Sequence, residues 1–450
     1  MSDFAALTTA LDALLDVPSA SPAPSVHGQP RWWRGPLDVE GLAVASVGVA
    51  LRAAGAVAAA RGLGVDVGTT TNAVGLAFGS INHLRVDGRE PQGFAPLSGY
   101  FETADGWIRL HGNYPHHADV LRRELGVDDR SELVRALQEL PAIETEQRLR
   151  AAGGIAGALR TPTEWRESGP ARAVDTSPWI RFDTKGARRD LTPTSARPLS
   201  GIRVLDLTRV IAGPTGSKLL AALGADVLRV DPPQHPELLD QHLDTGNGKR
   251  SAVADLGDPL QLSRIHGLLA EADILLTGYR PGALLGAGLE GPVLRERHPQ
   301  LVHVSLSAWG AEGPWAAERG FDSIVQSVTG IGHVYGSIDE RDRWRPGALP
   351  VQALDHATGY GMAAAAMALL AARPERGAGS AALSLARTAH ALLDGGPPPD
   401  ERVQPLVLET VAADTPHGRV ECVRPPVSLD GVPVDPAPPG AYGGADLGWL

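Results

Sequence analysis

The chain has 450 residues, of which 43% are hydrophobic and 21% charged; this is an ordinary globular composition with length for two or three domains, not a disordered or fibrous one. Its formal net charge of -11 argues against nucleic acid as a partner, because polyphosphate is repelled unless charge is segregated along the chain, and no basic block is present. Cys422 is the single cysteine, which excludes an intramolecular disulfide or a cysteine-based metal cluster and fits a reducing, cytoplasmic setting.

The N-terminal stretch MSDFAALTTALDALLDVPSA lacks a basic start, so no secretory signal is expected. Residues 1–39 read as a partly disordered leader, since 17–39 are rich in Pro and Ser. The Ala-rich stretches 42–60 and 361–372 are shorter than the roughly 20 residues of a membrane span and lie beside charged or Gly-rich segments, so both are expected as buried helices with no membrane partner. In GYFETADGWIRLHGNYPHHADVLRREL, TADGWIRL reads as turn and strand, and Pro115 opens a helix at its first turn. Residues 40–175 are therefore expected as a small α+β domain. The polar, Pro-broken stretch 176–198 suits a linker. From 199 to 395 the apolar runs IRVLDL, DVLRVD, ADILLTG and LVHVSLS alternate with helical segments, the pattern of strand-helix-strand units in an open parallel sheet. Residues 396–450 return to extended, Pro-rich pieces expected to pack on the large domain. The fold class expected is α/β, with the open parallel-sheet domain preceded by a smaller α+β domain.

Residues 204–231, VLDLTRVIAGPTGSKLLAALGADVLRVD, form a strand-turn-helix-strand unit. A dinucleotide site needs G-x-G-x-x-G after the first strand; this turn has A-G-P-T-G-S and lacks the first glycine pair. Asp231, at the end of the second strand, holds the place of a ribose-binding acid. The bland reading is that Gly213 and Gly216 permit a tight turn; the helix N-terminus beyond them also suits an anion.

Read together, RVLDLTRVIAGP, GADVLRVDPP, GNGKRSAVADL, ADILLTGYRPGAL, HPQLVHVSLSAWGAEGP, RGFDSIVQSVTG and LPVQALDHATGYG occur in order. Over 199 to about 390 this block resembles family III coenzyme A transferases, the group of the formyl-CoA, carnitine-CoA and succinyl-CoA transferases and the alpha-methylacyl-CoA racemases. The resemblance implies an acyl-CoA donor and a small carboxylic acid acceptor as substrates. It implies no permanently bound cofactor, no metal, and an enzyme in which a homodimer is possible. The family's nucleophilic aspartate falls on Asp355 in LDHATGYG, where an ionised carboxylate would attack a thioester; an isolated D-x-x-x-G would instead read as a helix cap. CoA contacts carried over by position fall on Ile211, Ala212, Ala254, Leu256, Gly278, Tyr279 and Arg280, with Arg319 near the thiol end or the diphosphate.

Two departures stand out, Pro232 with Pro233 and Gly286, where relatives place arginines. CoA carries roughly four negative charges, so local cations are needed, and Arg280, Arg250 and Lys249 are the candidates. Racemases of the group carry G-H-D, its histidine working with the aspartate; here the segment is Gly320-Phe321-Asp322, and His356 points about 100° away from Asp355 along a helix. His111, His116 and His117 lack metal-ligand spacing and read as surface or cap residues. The small-domain blocks precede the CoA-binding block, against the family's order, and residues 42–79 resemble a worn copy of the Ala-rich helix with its strand-helix pair. The sequence therefore reads as a rearranged fusion, the bland alternative being an unrelated domain at 1–198. Transfer of CoA between acyl-CoA and carboxylate leads, with a racemase or isomerase and a non-catalytic CoA-binding protein as alternatives.

Overall fold

The computed structural model describes residues 4, 6–16, 25–28, 32–399 and 403–450. Its apolar runs form strands β1 (Arg181–Asp183), β2 (Arg203–Leu207), β3 (Asp226–Asp231), β4 (Lys249–Val253), β5 (Ile274–Thr277), β6 (Val302–Ser307) and β7 (Ser380–Ser384), all of one sheet. Their spatial order is β4-β3-β2-β5-β6-β7-β1; β2 to β7 are parallel and β1 joins antiparallel to β7. The chain builds outward from β2 to β4, then returns to β5 and builds the other way. That reversal leaves a crevice at the carboxyl ends of β2 and β5, where open α/β sheets bind ligands. All four residues of β5 are buried, as a parallel strand covered on both faces requires. The α/β class read from the sequence is the class observed. The stretch expected as a linker, 176–198, differs in detail: it supplies β1, and Trp179 and Ile180 just before it are buried. A tethering loop gains nothing from Trp and Ile, whereas a sheet edge buries them.

One face of the sheet carries helices α3 (Ala212–Ala222) and α5 (Ala353–Arg376). Every residue of α5 from Ala353 to Leu370 is buried, because Ala and Gly let neighbouring backbones approach. Against α5 packs α1 (Val39–Ala60), capped by the Asp38 side chain on the Gly41 N–H. This 22-residue helix is long and apolar enough to cross a membrane by composition alone, yet most of it lies within the core. Within the expected leader, the described helix Ala6–Leu15 buries Leu7, Leu11 and Leu14 against this layer; residues 17–24 lie outside the described residues.

A second unit carries the antiparallel strands Gly99–Glu102, Trp107–Leu110 and Ala156–Ala158 and three helices, the first being α2 (Pro115–Leu125) with Pro115 at its first turn. Phe101, Ile108, Leu110, Leu121, Leu133 and Leu149 form its core. The helix-strand-helix pattern occurs twice in the chain. After α1 come strand Val67–Thr70 and helix Thr71–Phe78, capped by Thr70 on the Ala73 N–H; after α5 come β7 and α6 (Leu385–Asp394), capped by Ser384 on the Arg387 N–H. Glu40 stands as far before Arg61 as Asp355 stands before Arg376. The Glu40 carboxylate accepts the backbone N–H groups of Trp32, at 3.1 Å, and of Trp33.

Candidate functional site

Asp355 lies in the first turn of α5, only 6% exposed, and its side-chain oxygens make no hydrogen bond among the described residues. Two glycines set its place. A Cβ on Gly359, one turn along the same face, would lie 2.2 Å from the Ala212 carbonyl oxygen, and one on Gly216 would lie 2.5 Å from the Gly359 carbonyl oxygen. Helices α3 and α5 therefore touch backbone to backbone, which brings the start of α3 beside Asp355. Beneath α3, the buried Lys249 donates to Ser217 Oγ at 2.8 Å and to the Pro214 carbonyl, and Ser217 in turn donates to Asp206 of β2. Burial pushes the Lys249 ammonium down to about 7.

The Asp355 backbone N–H donates to Asp322 Oδ2 at 2.9 Å. Asp322 begins the helix α4 (Asp322–Val328); its other oxygen accepts from Gln326, whose own Oε1 accepts the Leu349 N–H at 2.9 Å. Burial raises the Asp322 carboxyl to about 6, and burial together with the nearby Asp322 charge holds Asp355 well above the usual carboxylate range. Two carboxyls in one dry place titrate as a pair.

Asp355 opens on a cavity of about 1010 Å³ including its mouth. From the sheet side it is lined by Arg209, Val210, Ala212, Gly278, Tyr279 and Arg280; Arg319, Gly320 and Phe321 line it from the loop before α4. From the second unit come Tyr114, His116 and His117. Arg280 donates to the Ala317 carbonyl at 3.0 Å and Arg319 to the Gly153 carbonyl, and among the described residues neither pairs with a carboxylate. Burial, then the charge of Arg280, lowers the Arg319 guanidinium from its ordinary value. Two cations without a carboxylate partner thus leave net positive charge in the cavity. Arg209 is instead held within 4 Å of Asp231 and Glu237, at 3.8 and 3.9 Å.

Glu237 ties the two units together. It accepts from the Tyr114 hydroxyl, from Arg229 at 2.9 Å and from the Val210 N–H at 2.8 Å. Val210 has φ of 68°, a left-handed conformation that a β-branched residue adopts only where its surroundings impose it. Val210 lines the cavity, so the strain sits where α3 is aimed at Asp355.

Of the residues proposed from sequence, Ala212, Gly278, Tyr279, Arg280, Arg319 and Asp355 line this one cavity. Ile211 immediately precedes α3. Ala254 and Leu256 do not line it; Ala254 is buried in the apolar cluster that includes Leu205, Leu228 and Val230, and Leu256 and Tyr279 both pack against that cluster. Lys249 is buried as described, and Arg250 is bound to Asp226 at 2.8 and 3.0 Å and to the Gly448 carbonyl, so neither faces the cavity. Asp231 is closed to a ribose by Arg229, at 2.9 Å. His111 and His117, expected at the surface or as caps, are buried, because the second unit folds them onto Phe321: the His111 ring stacks on it at 4.2 Å and the His117 ring meets it edge-on at 5.8 Å. His356 is turned away from the cavity, its ring 3.3 Å from Thr215 Oγ1 and 5.3 Å from Phe78. Arg209, Tyr114 and His117 were missed. Arg209 was within reach as the cation nearest the Ile211-Ala212 turn; Tyr114 and His117 come from another unit, and their sequence carries no sign of it.

Residues 199–397 match CoA-transferase family III. The chain is 30% identical to an acyl-CoA transferase of Gibberella moniliformis, over 52% of this chain and 46% of the relative. With the probable fatty acyl-CoA transferase of Mycobacterium tuberculosis it shares 32% identity over 41% of this chain and 50% of the relative. The succinate–glutarate CoA-transferase of Agrobacterium fabrum is 34% identical over 33% of this chain and 41% of that protein. The crystal structure of the M. tuberculosis protein aligns with a TM-score of 0.40 at 32% identity, covering 44% of this chain and 56% of that one. The chain thus spans about half the length of the curated relatives it matches.

Proposed function

We propose that the chain moves coenzyme A from an acyl-CoA to a carboxylic acid, with Asp355 as nucleophile. The observation that carries this is the Asp355 carboxylate, without a hydrogen-bond partner among the described residues, opening on a cavity that also holds the unpaired Arg280 and Arg319. A carboxylate oxygen of Asp355 attacks the thioester carbon; the C–S bond breaks, giving an acyl-aspartyl anhydride and CoA thiolate. The thiolate attacks the aspartyl carbonyl, releasing the donor acid and leaving an aspartyl-CoA thioester. The acceptor carboxylate repeats the two steps in reverse order and restores Asp355. The arginines would meet the CoA phosphates, and Ala212, Gly278 and Tyr279 would line the path of its arm. Relatives named for succinate with glutarate and for acetyl-CoA with oxalate suggest short acids as first donors and acceptors to try.

A racemase needs an imidazole that gains and loses a proton near neutral pH. Phe321 occupies the relevant place, and burial lowers both imidazoles that line the cavity, His116 and His117, the latter to about 2. Proton exchange at the α carbon is therefore disfavoured. Incubation with each acyl-CoA in deuterated water tests it; deuterium at the α carbon without CoA transfer would replace the transferase reading.

We further propose that the chain is a rearranged fusion whose earlier helix-strand-helix copy lost its site. Glu40 holds the place corresponding to Asp355 but is bound to the Trp32 and Trp33 amides. One labelled carboxylate per chain is expected, at Asp355 and not at Glu40, in a chain that holds both copies in cis; labelling of Glu40 would refute the loss.

A further inference from the structure

His117 is 6% exposed and lines the cavity that holds Asp355, yet its ring makes no hydrogen bond among the described residues. Its Nδ1 is sealed from solvent and has no partner. An N–H buried without an acceptor is strongly disfavoured. The ring's single proton therefore belongs on Nε2, the nitrogen that is not sealed.

We propose that His117, as a neutral imidazole, donates its Nε2–H to the acyl carbonyl oxygen of the thioester while Asp355 attacks it. This deepens the transferase reading and rests on it. As the Asp355 oxygen bonds to the thioester carbon, the carbonyl oxygen takes the electron pair and becomes an oxyanion, which accepts the hydrogen bond. Collapse restores the C=O and expels the CoA thiolate, and His117 keeps its proton throughout. A donor already fixed in place needs no reorganisation when charge develops. Several observations support a donor over a base. Burial, followed by the charges of His116, His111, Arg319 and Arg209, keeps the ring neutral. The ring is also held in orientation, edge-on to Phe321 at 5.8 Å and to Tyr114 at 5.6 Å, while Tyr114 is itself anchored on Glu237. Phe321 precedes Asp322, whose carboxylate holds the Asp355 N–H, so the donor and the nucleophile are referred to one short segment.

The geometry makes a specific demand on side-chain replacement. The amide nitrogen of glutamine reaches about as far as Nε2, and that of asparagine only as far as Nδ1. Full-length wild type, His117→Ala, His117→Gln and His117→Asn are mixed with acetyl-CoA and, separately, succinyl-CoA. The rate of CoA thiol release in a single turnover and the hydroxylamine-trapped label on the Asp355 peptide are followed. With the more reactive donor, Ala and Asn variants are expected to lose about 100-fold in acylation rate, while the half-saturating donor concentration changes less than about threefold and Gln recovers at least about tenfold over Ala. Melting curves monitored by circular dichroism confirm that each variant is folded. The proposal is overturned if the wild type labels Asp355 and the Ala variant does so at a rate within about threefold. It is equally overturned if Ala, Asn and Gln are impaired alike. Failure of the wild type to label Asp355 with either donor removes the transferase reading, and this proposal falls with it.

Discussion

Replacing Gly359 with alanine tests how the site is held in place. The added Cβ would sit 2.2 Å from the Ala212 carbonyl oxygen and 3.1 Å from Thr215 Cβ, and both contacts are on the neighbouring helix α3. An ordinary carbon–oxygen contact needs about 3.2 Å or more, so α3 and α5 must part by about 1 Å. Overpacking of this kind costs about 1–3 kcal/mol, offset by up to about 1 kcal/mol from the better helix propensity of alanine. The folded protein therefore survives with a lower midpoint. Asp355 lies one turn from Gly359, and Ala212 lines the cavity, so the 1 Å is inserted between nucleophile and ligand path. Misplacement of that size costs about 100-fold in rate. Urea titration measures the stability, and single-turnover CoA release with acetyl-CoA or succinyl-CoA measures the rate. A Gly359→Ala protein that acylates at the wild-type rate would show that the glycine contact does not position Asp355.

Other outcomes follow from the same geometry. In α1, a Cβ on Gly48 or Gly55 would meet nothing within 4 Å, so alanine at either position should stabilise the protein by about 0.5–1 kcal/mol without changing its rate; loss of stability in urea would contradict the packing described. Asp322→Asn removes the like charge that, after burial, raises Asp355, so the acid limb of the acylation rate should move to lower pH. The same substitution sets an amide donor against that of Gln326, and its overall rate should fall; an unmoved limb would show that the two carboxyls are not linked. Both carboxyls titrate above their ordinary values in the folded state, which therefore holds extra protons from about pH 4 up to the folded values, about 6 for Asp322. Their contribution to stability falls as pH rises through that window, and the Asn variant should show a flatter profile by thermal melting. Arg280→Ala and Arg319→Ala should each weaken CoA binding about 10- to 100-fold, as expected for a charge-assisted hydrogen bond, with a loss that shrinks as salt rises. Calorimetry at two ionic strengths checks this, and unchanged affinity would remove the arginines from the anion site.

What the sequence made legible was local or carried by the ordered blocks. The parallel sheet follows from apolar runs too continuous for an exposed face, and Asp355 with Ala212, Gly278 and Arg280 was legible only through the family resemblance of the ordered blocks. The glycines of A-G-P-T-G read as turn residues, but both lie inside α3, and Gly216 is needed because a backbone from more than a hundred residues later passes against it. Lys249 was read as a cation for phosphate because charge is visible in sequence and burial is not; in the fold it is sealed on Ser217 and Asp206. His117 was hidden for a related reason. Its spacing rejects a metal, but only the docking of one unit on another shows that its ring ends in the cavity. The polar, Pro-broken residues 176–198 hid an edge strand because proline signals a break more loudly than Trp179 and Ile180 signal burial.

The central claim is that Asp355 becomes covalently linked to CoA during turnover. The direct measurement is peptide mass spectrometry of the full-length protein after reaction with acetyl-CoA and succinyl-CoA and trapping with hydroxylamine, beside Asp355→Ala. The account predicts a hydroxamate on the Asp355 peptide, formed with at least one donor and missing from the variant. CoA transfer that continues in Asp355→Ala, or a trapped carboxylate elsewhere in the chain, would contradict it.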